Sequence, residues 1–240
     1  MTRIFVRLML CASVLFVSAC ASHPEIPFDR TAAAGVKKIG VVAPAFPTGS
    51  SVILASTVGQ NFGLIGALID QSMKTSRETD VNQLLSAQKF DAKAEFSQAL
   101  EAALQRQGYE TFTVAPVRKQ GSDFVDATAL AGQPPADAYL DIVVDTYGFM
   151  ASGISSSNPY RPIVYLKCRL VSANDPARVL MYDTIRVNPL GSPKDAVQVF
   201  PSATDAFVDF DNLVANPTRT TEALAKAIDQ SADTVGKVLN

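Results

Sequence analysis

Apolar and polar positions alternate along several stretches of this chain, and each alternation predicts a strand with one buried face. Asp137 to Thr146 places Ala138, Leu140, Ile142 and Val144 on one side and Asp137, Tyr139, Asp141, Val143 and Asp145 on the other. Ile163 to Val171 turns Val164, Leu166, Cys168 and Leu170 inward, with Tyr165, Lys167 and Arg169 outward; Val179 to Val187 returns as its hairpin partner after Ser172–Ala177. Lys38 to Pro44 reads as a first strand and Tyr109 to Val114 as another. A helical period replaces the alternation over Asp91 to Gln107, where Phe96, Leu100, Ala103 and Leu104 share a face and Gly108 supplies the stop. Ser202-Ala203-Thr204-Asp205 has the form of a capping box before Phe207, Phe210 and Leu213. Asn216-Pro217 opens a last helix with Leu224, Ile228, Val235 and Leu239 on one face. The order predicts an α/β (α+β) fold, a mixed β-sheet with helices packed on its faces in a single domain.

Two segments break these patterns. No charged residue lies between Lys38 and Asp70, and about 45–73 reads as a Gly-rich, uncharged insertion. On a helix, Ala55, Gly59, Gly63 and Gly66 would share a face on which another backbone can approach closely. Three readings stay open: a helix packed in the domain or against a second copy, a segment touching lipid, or a glycine-rich loop. Gly, Pro and Ser cluster at 147–162 and at 188–193, which marks loops. In the first, Tyr147, Phe149, Met150, Ile154 and Tyr160 either supply a partner-contact surface or fold back on the domain.

Charge and chemistry narrow the function. The formal net charge is −2, with no basic patch, which argues against nucleic acid as a partner. The single histidine is His23, close to the N-terminus, so no His-based nucleophilic or metal site is expected in the domain. Asp137, Asp141 and Asp145 recur every fourth residue, about 13 Å apart along a strand. That is too far to share a cation, and a solvated strand face accounts for them. Asp205, Asp209 and Asp211 suit the start of a helix. Cys168 falls on an apolar face, as a small buried hydrophobe does. No Gly-x-Ser-x-Gly elbow is present. The chain is therefore expected to be no enzyme, with no catalytic residue, metal or cofactor beyond lipid.

At the N-terminus, Arg3 and Arg7 precede an apolar run from Leu8 to Val17, too short to span a bilayer. It ends in Val17-Ser18-Ala19-Cys20, which resembles the lipobox of bacterial lipoproteins. That resemblance implies a signal peptide over 1–19, covalent lipid (palmitate among its chains) on Cys20, and anchoring to a membrane through acyl chains. Ala21 and Ser22 are similar to outer-membrane sorting residues and imply an outer-membrane lipoprotein facing the periplasm. Residues 20–36 then read as a flexible tether and 37–240 as the domain.

Three stretches carry a wider resemblance: KKIGVVAP; FSQALEAALQRQGYETFTV with ADAYLDIVVDTYGF; and PIVYLKCRLVSANDPARVLMYDTIRV. Together they resemble the α/β domain shared by the curli-secretion lipoprotein, the lipoprotein activators of peptidoglycan synthases and the N-terminal domain of the Tol-system β-propeller protein. The resemblance implies a non-catalytic protein that binds or assembles with other envelope proteins, or with itself. Its alternative is an oligomeric secretion or transport pore, or an assembly subunit, in the outer membrane.

Overall fold

The computed structural model describes residues 25–54, 58–119, 123–151, 159–189, 194, 196–200 and 202–240, without the side chains of 58–71. Its strands are β1 (Lys38–Val42), β2 (Ser51–Leu54), β3 (Glu110–Val114), β4 (Ala138–Ala151), β5 (Tyr160–Ser172), β6 (Val179–Val187) and β7 (Val197–Val199). The helices are α1 (Val58–Ala87), α2 (Ala92–Arg106), α3 (Ala127–Leu130), α4 (Phe210–Ala215) and α5 (Pro217–Val238), with a 3₁₀ turn at Ala203–Asp205.

All seven strands form one mixed sheet in the order β3-β1-β4-β5-β6-β7, with β2 also paired to β4. The long strand β4 is its spine. One edge of β4 carries β1 beside Ala138–Leu140, a bridge from Ala45 to Val143, and then β2 beside Gly148–Ala151. The other edge pairs antiparallel with β5, which pairs antiparallel with β6. The alternation read from the sequence sets the faces. Leu140, Ile142, Val144, Leu166, Cys168 and Leu170 share the main core with Phe96, Leu100 and Leu104 of α2 and Leu224, Ile228 and Val235 of α5. A smaller core on the opposite face joins Tyr139 and Val171 to Val125 and Leu130.

The helix signals hold where local chemistry decides. The Asp91 carboxylate accepts from the N–H groups of Lys93 and Ala94 at the start of α2. Beyond its end, Gly108 takes φ +88, the left-handed stop that glycine adopts without penalty. Pro217 stands at the first position of α5. Ser202 caps only the 3₁₀ turn, by accepting from Thr204, and α4 starts later under Asp209, which accepts from Asn212. Among the described residues no helix is long and apolar enough to cross a membrane.

Three expectations need correction. Tyr147, Phe149 and Met150 are not on a loop: β4 continues to Ala151, and their side chains are buried, as is that of Tyr160 at the start of β5. Tyr147, Phe149 and Tyr160 belong to the core, so these side chains offer no contact surface; Ile154 lies outside the described residues. The strand persists because Gly148, at φ +139, lets β2 run against it; a Cβ there would lie 2.1 Å from the Ser51 carbonyl oxygen.

Second, the uncharged insertion is built into the sheet and its helix layer. It supplies Phe46, whose ring packs edge-on against Phe96 and Tyr147, then β2, then the start of α1. Gly59, Gly63 and Gly66 fall within α1, which excludes the loop reading for them. Their packing, and Ala55 altogether, lie outside the described residues. The close helix approach that is described lies elsewhere, between α2 and α5, where a Cβ on Gly236 would stand 3.0 Å from that of Ala103.

Third, part of the supposed tether is docked. Ile26 and Tyr182 exchange two backbone hydrogen bonds of 2.9 Å, giving partners to the outer edge of β6. Asp29 accepts from the N–H groups of Thr31 and Ala32, Ala33 is buried, and Phe28 and Val36 pack against the core.

Candidate functional site

The densest polar centre lies on the face of the sheet away from α2 and α5. Asp141, between Tyr139 and Val143 on β4, has no exposed surface. One of its oxygens accepts from Arg118 at 2.7 Å, and the other accepts from the Val125 N–H at 2.7 Å. Arg169, opposite Asp141 on β5, approaches within 3.6 Å and donates to the Val125 carbonyl at 2.8 Å. Its guanidinium lies 4.6 Å from the Phe124 ring centroid, and Phe124 meets Tyr182 edge-on. Burial pulls the Arg169 pKa down, and the Asp141 charge opposes that pull.

The solvated-stripe reading of the three aspartates is therefore wrong for Asp141. Each of them does something different. Asp137 is exposed, and the Lys38 and Lys37 N–H groups that it accepts from hold its carboxyl below the usual range. Asp145 stands 3.3 Å from Lys167, which also pairs with Asp123 at 3.0 Å. Burial raises the Asp145 pKa against the attraction of Lys167.

Chemically this centre is closed. Both oxygens of Asp141 are engaged by donors, and the surrounding cations are held by carbonyls, carboxylates and a ring, with the Arg169 Nε alone buried without a partner among the described residues of this centre. It fastens the segment from Arg118 to Leu130 to the sheet, and nothing in it is free to act as base or nucleophile. Cys168 is buried on the other face, its thiol 3.6 Å from the Asp183 carbonyl, and burial pushes its pKa up strongly. No group of three or more His, Cys, Asp or Glu suited to a metal occurs among the described residues.

An open feature lies at the β3 edge. A groove of about 430 Å³ runs between β3 and α2, lined by Thr111, Thr113, Ser97, Gln98 and Glu101. The Thr111 hydroxyl is buried there without a hydrogen-bond partner. Sequence reasoning passed over Arg118, Phe124 and this edge. The available signal for Asp141 was its place between Tyr139 and Val143, since a face that carries a tyrosine and a valine is a face that something covers.

No family model matches the chain, and no curated protein does. Among solved structures it is similar to protein XCC0632 of Xanthomonas campestris, from the DUF330 family, at 14% identity and TM-score 0.41, over 91% of this chain and 88% of that one. It is similar to the PelC dodecamer of Paraburkholderia phytofirmans at 11% identity and TM-score 0.37, over 90% and 94%. A third neighbour is lipoprotein GNA1162 of Neisseria meningitidis, at 19% identity and TM-score 0.27, over 65% and 88%. Similarity at this level assigns the chain to none of these families, and the kinship expected from its sequence is carried no further by them.

Proposed function

We propose that this chain is a lipid-anchored, non-catalytic protein of the bacterial envelope that binds or assembles with other envelope components from the periplasmic face of the outer membrane. The observation that carries the reading is Val17-Ser18-Ala19-Cys20 behind a short cationic and apolar segment. Its position relative to the domain supports it. Ile26 is already paired to β6, so a lipid on Cys20 would hold the domain close to the bilayer. The absence of histidine after His23, the buried thiol of Cys168 and the fully engaged Asp141 support a binding role over a catalytic one.

The test is fractionation of the Cys20→Ala variant. Release from the membrane is the expected result, and retention there overturns the anchor. A second reading, an assembly subunit in the outer membrane, is favoured by the open edge of β3 with its flanking groove, since an unpaired edge offers backbone partners to another chain. A stable oligomer of the lipid-free domain, lost on substituting proline for Thr113, would select it.

A further inference from the structure

We infer that the flank of the sheet formed by Ile26, β7 and the turn before α4 lies against the bilayer, with the Phe200 and Val208 side chains in its headgroup region. The inference rests on the lipid-anchored reading and adds to it which surface the anchor brings down.

Among the described residues four large hydrophobic side chains are exposed, and three of them lie on this flank: Ile26 at 38%, Phe200 at 67% and Val208 at 66%. Strand register places them. Ile26 bridges Tyr182 on the outer edge of β6. Val199 pairs with Val187 farther along the same edge, and Phe200 is the next residue. Phe207 exchanges two backbone bonds of 2.8 Å with Tyr160 at the start of β5, and Val208 follows it. Side chains of Asn188, Pro162, Ser202 and Ala206 line one small hollow, which ties the β7 turn to the start of β5. A phenylalanine and a valine exposed to this degree at the same end of the sheet are available to an apolar medium.

The covalent chain says which medium that is. The bridge to Tyr182 is antiparallel, so Glu25 stands beside Asp183, where its charge adds to the rise in that carboxyl's pKa. The backbone at Ile26 thus points, toward its N-terminus, along β6 in the direction of Val187 and the Phe200 corner. Cys20 precedes Glu25 by five residues, a reach of about 17 Å. From Asp183 to Val187 is about 13 Å of strand, so a fully extended lead can bring the anchoring residue level with the end of β7, which holds this edge from Ile185 onward. Arg161, on the rim of that hollow, is an exposed cation suited to lipid phosphate, whereas Asp205 is paired with Lys226, Asp209 caps α4 and Asp211 is exposed in its first turn. A short lipid leash, exposed apolar side chains beside it and a cation at their rim suit a membrane-resting surface.

The chain contains no tryptophan, so a single introduced one reports its own surroundings. The full protein carrying Phe200→Trp, Val208→Trp or Ala177→Trp would be purified from membranes, its lipid on Cys20 verified by mass, and reconstituted in phosphatidylethanolamine–phosphatidylglycerol vesicles. Ala177 is exposed in the β5–β6 turn, ten residues along β6 from Val187, and serves as the distant reference. Lipids brominated on their acyl chains should quench the two flank variants several-fold more than Ala177→Trp, with emission shifted to the blue. Equal quenching at all three positions in lipidated protein overturns the inference and leaves the anchor intact. Protein without lipid on Cys20 overturns the anchor itself. Because Phe200 and Val208 are exposed, neither substitution touches the core; circular dichroism matching the parent verifies this.

Discussion

Arg118 reaches across from the segment after β3 to the buried carboxylate of Asp141, 2.7 Å away, and that contact closes the second face of the sheet. Asp141 also accepts from the Val125 backbone, so one side chain fixes the start and the middle of the covering segment. Removing it as Asp141→Ala leaves two largely buried guanidinium groups without their counter-charge and the Val125 N–H without its acceptor, at a cost of about 3 kcal/mol. Denaturant unfolding measures this. Adding Arg118→Met should restore part of the loss, because the two side chains act as one unit.

Asp183 has the opposite relation to its surroundings. Burial pushes its carboxyl pKa up to about 6 from an ordinary 3.8, with Glu25 adding to the rise. The native state therefore holds that proton more tightly than the unfolded chain. Its ionisation costs nothing below about pH 4, costs progressively more up to pH 6, and costs the full amount, no more than about 3 kcal/mol, above it. Asp183→Asn should stabilise the protein at pH 7.5 and lose that advantage at pH 4. Equal effects at both pH values would contradict the burial.

Gly148 lets β2 lie against β4, and a single methyl there would meet the Ser51 backbone. Gly148→Ala should cost at least about 2 kcal/mol through the strained φ and the displaced strand. Loss of protection at the N–H groups of Val52 to Leu54 in hydrogen exchange would locate the damage.

Cys168 offers a probe that needs no substitution. In residues 25–240 it is the only cysteine, and it is fully buried with its pKa raised by burial. Its labelling by a thiol reagent in that fragment should follow the rate of global opening and accelerate with denaturant. Rapid labelling of the native fragment would show that β5 is not covered.

The strand faces and both long amphipathic helices were legible because their information is local. Leu140, Ile142 and Val144 point together for reasons of backbone geometry alone. Asp141 was misread because its charge suggests solvent while its cations come from Arg118 and Arg169, which no periodicity connects. Tyr147 to Ala151 were misread for a different reason: a strand buried on both faces does not alternate, and Gly148 beside a serine-rich stretch imitates a loop. Ile26 lacked any local signal, since its partner Tyr182 lies near the other end of the chain. The β3 groove is a property of two elements side by side and has no counterpart in either one.

The two faces of the sheet differ in what holds their covers. α2 and α5 share a deep apolar core with β4, β5 and β6, whereas the segment from Arg118 to Leu130 rests on a small cluster, the Asp141 centre and the Asp123–Lys167 pair. The back cover is consequently the less deeply held of the two, and amide exchange should be faster at Ala129 and Leu130 than along the buried faces of α2 and α5.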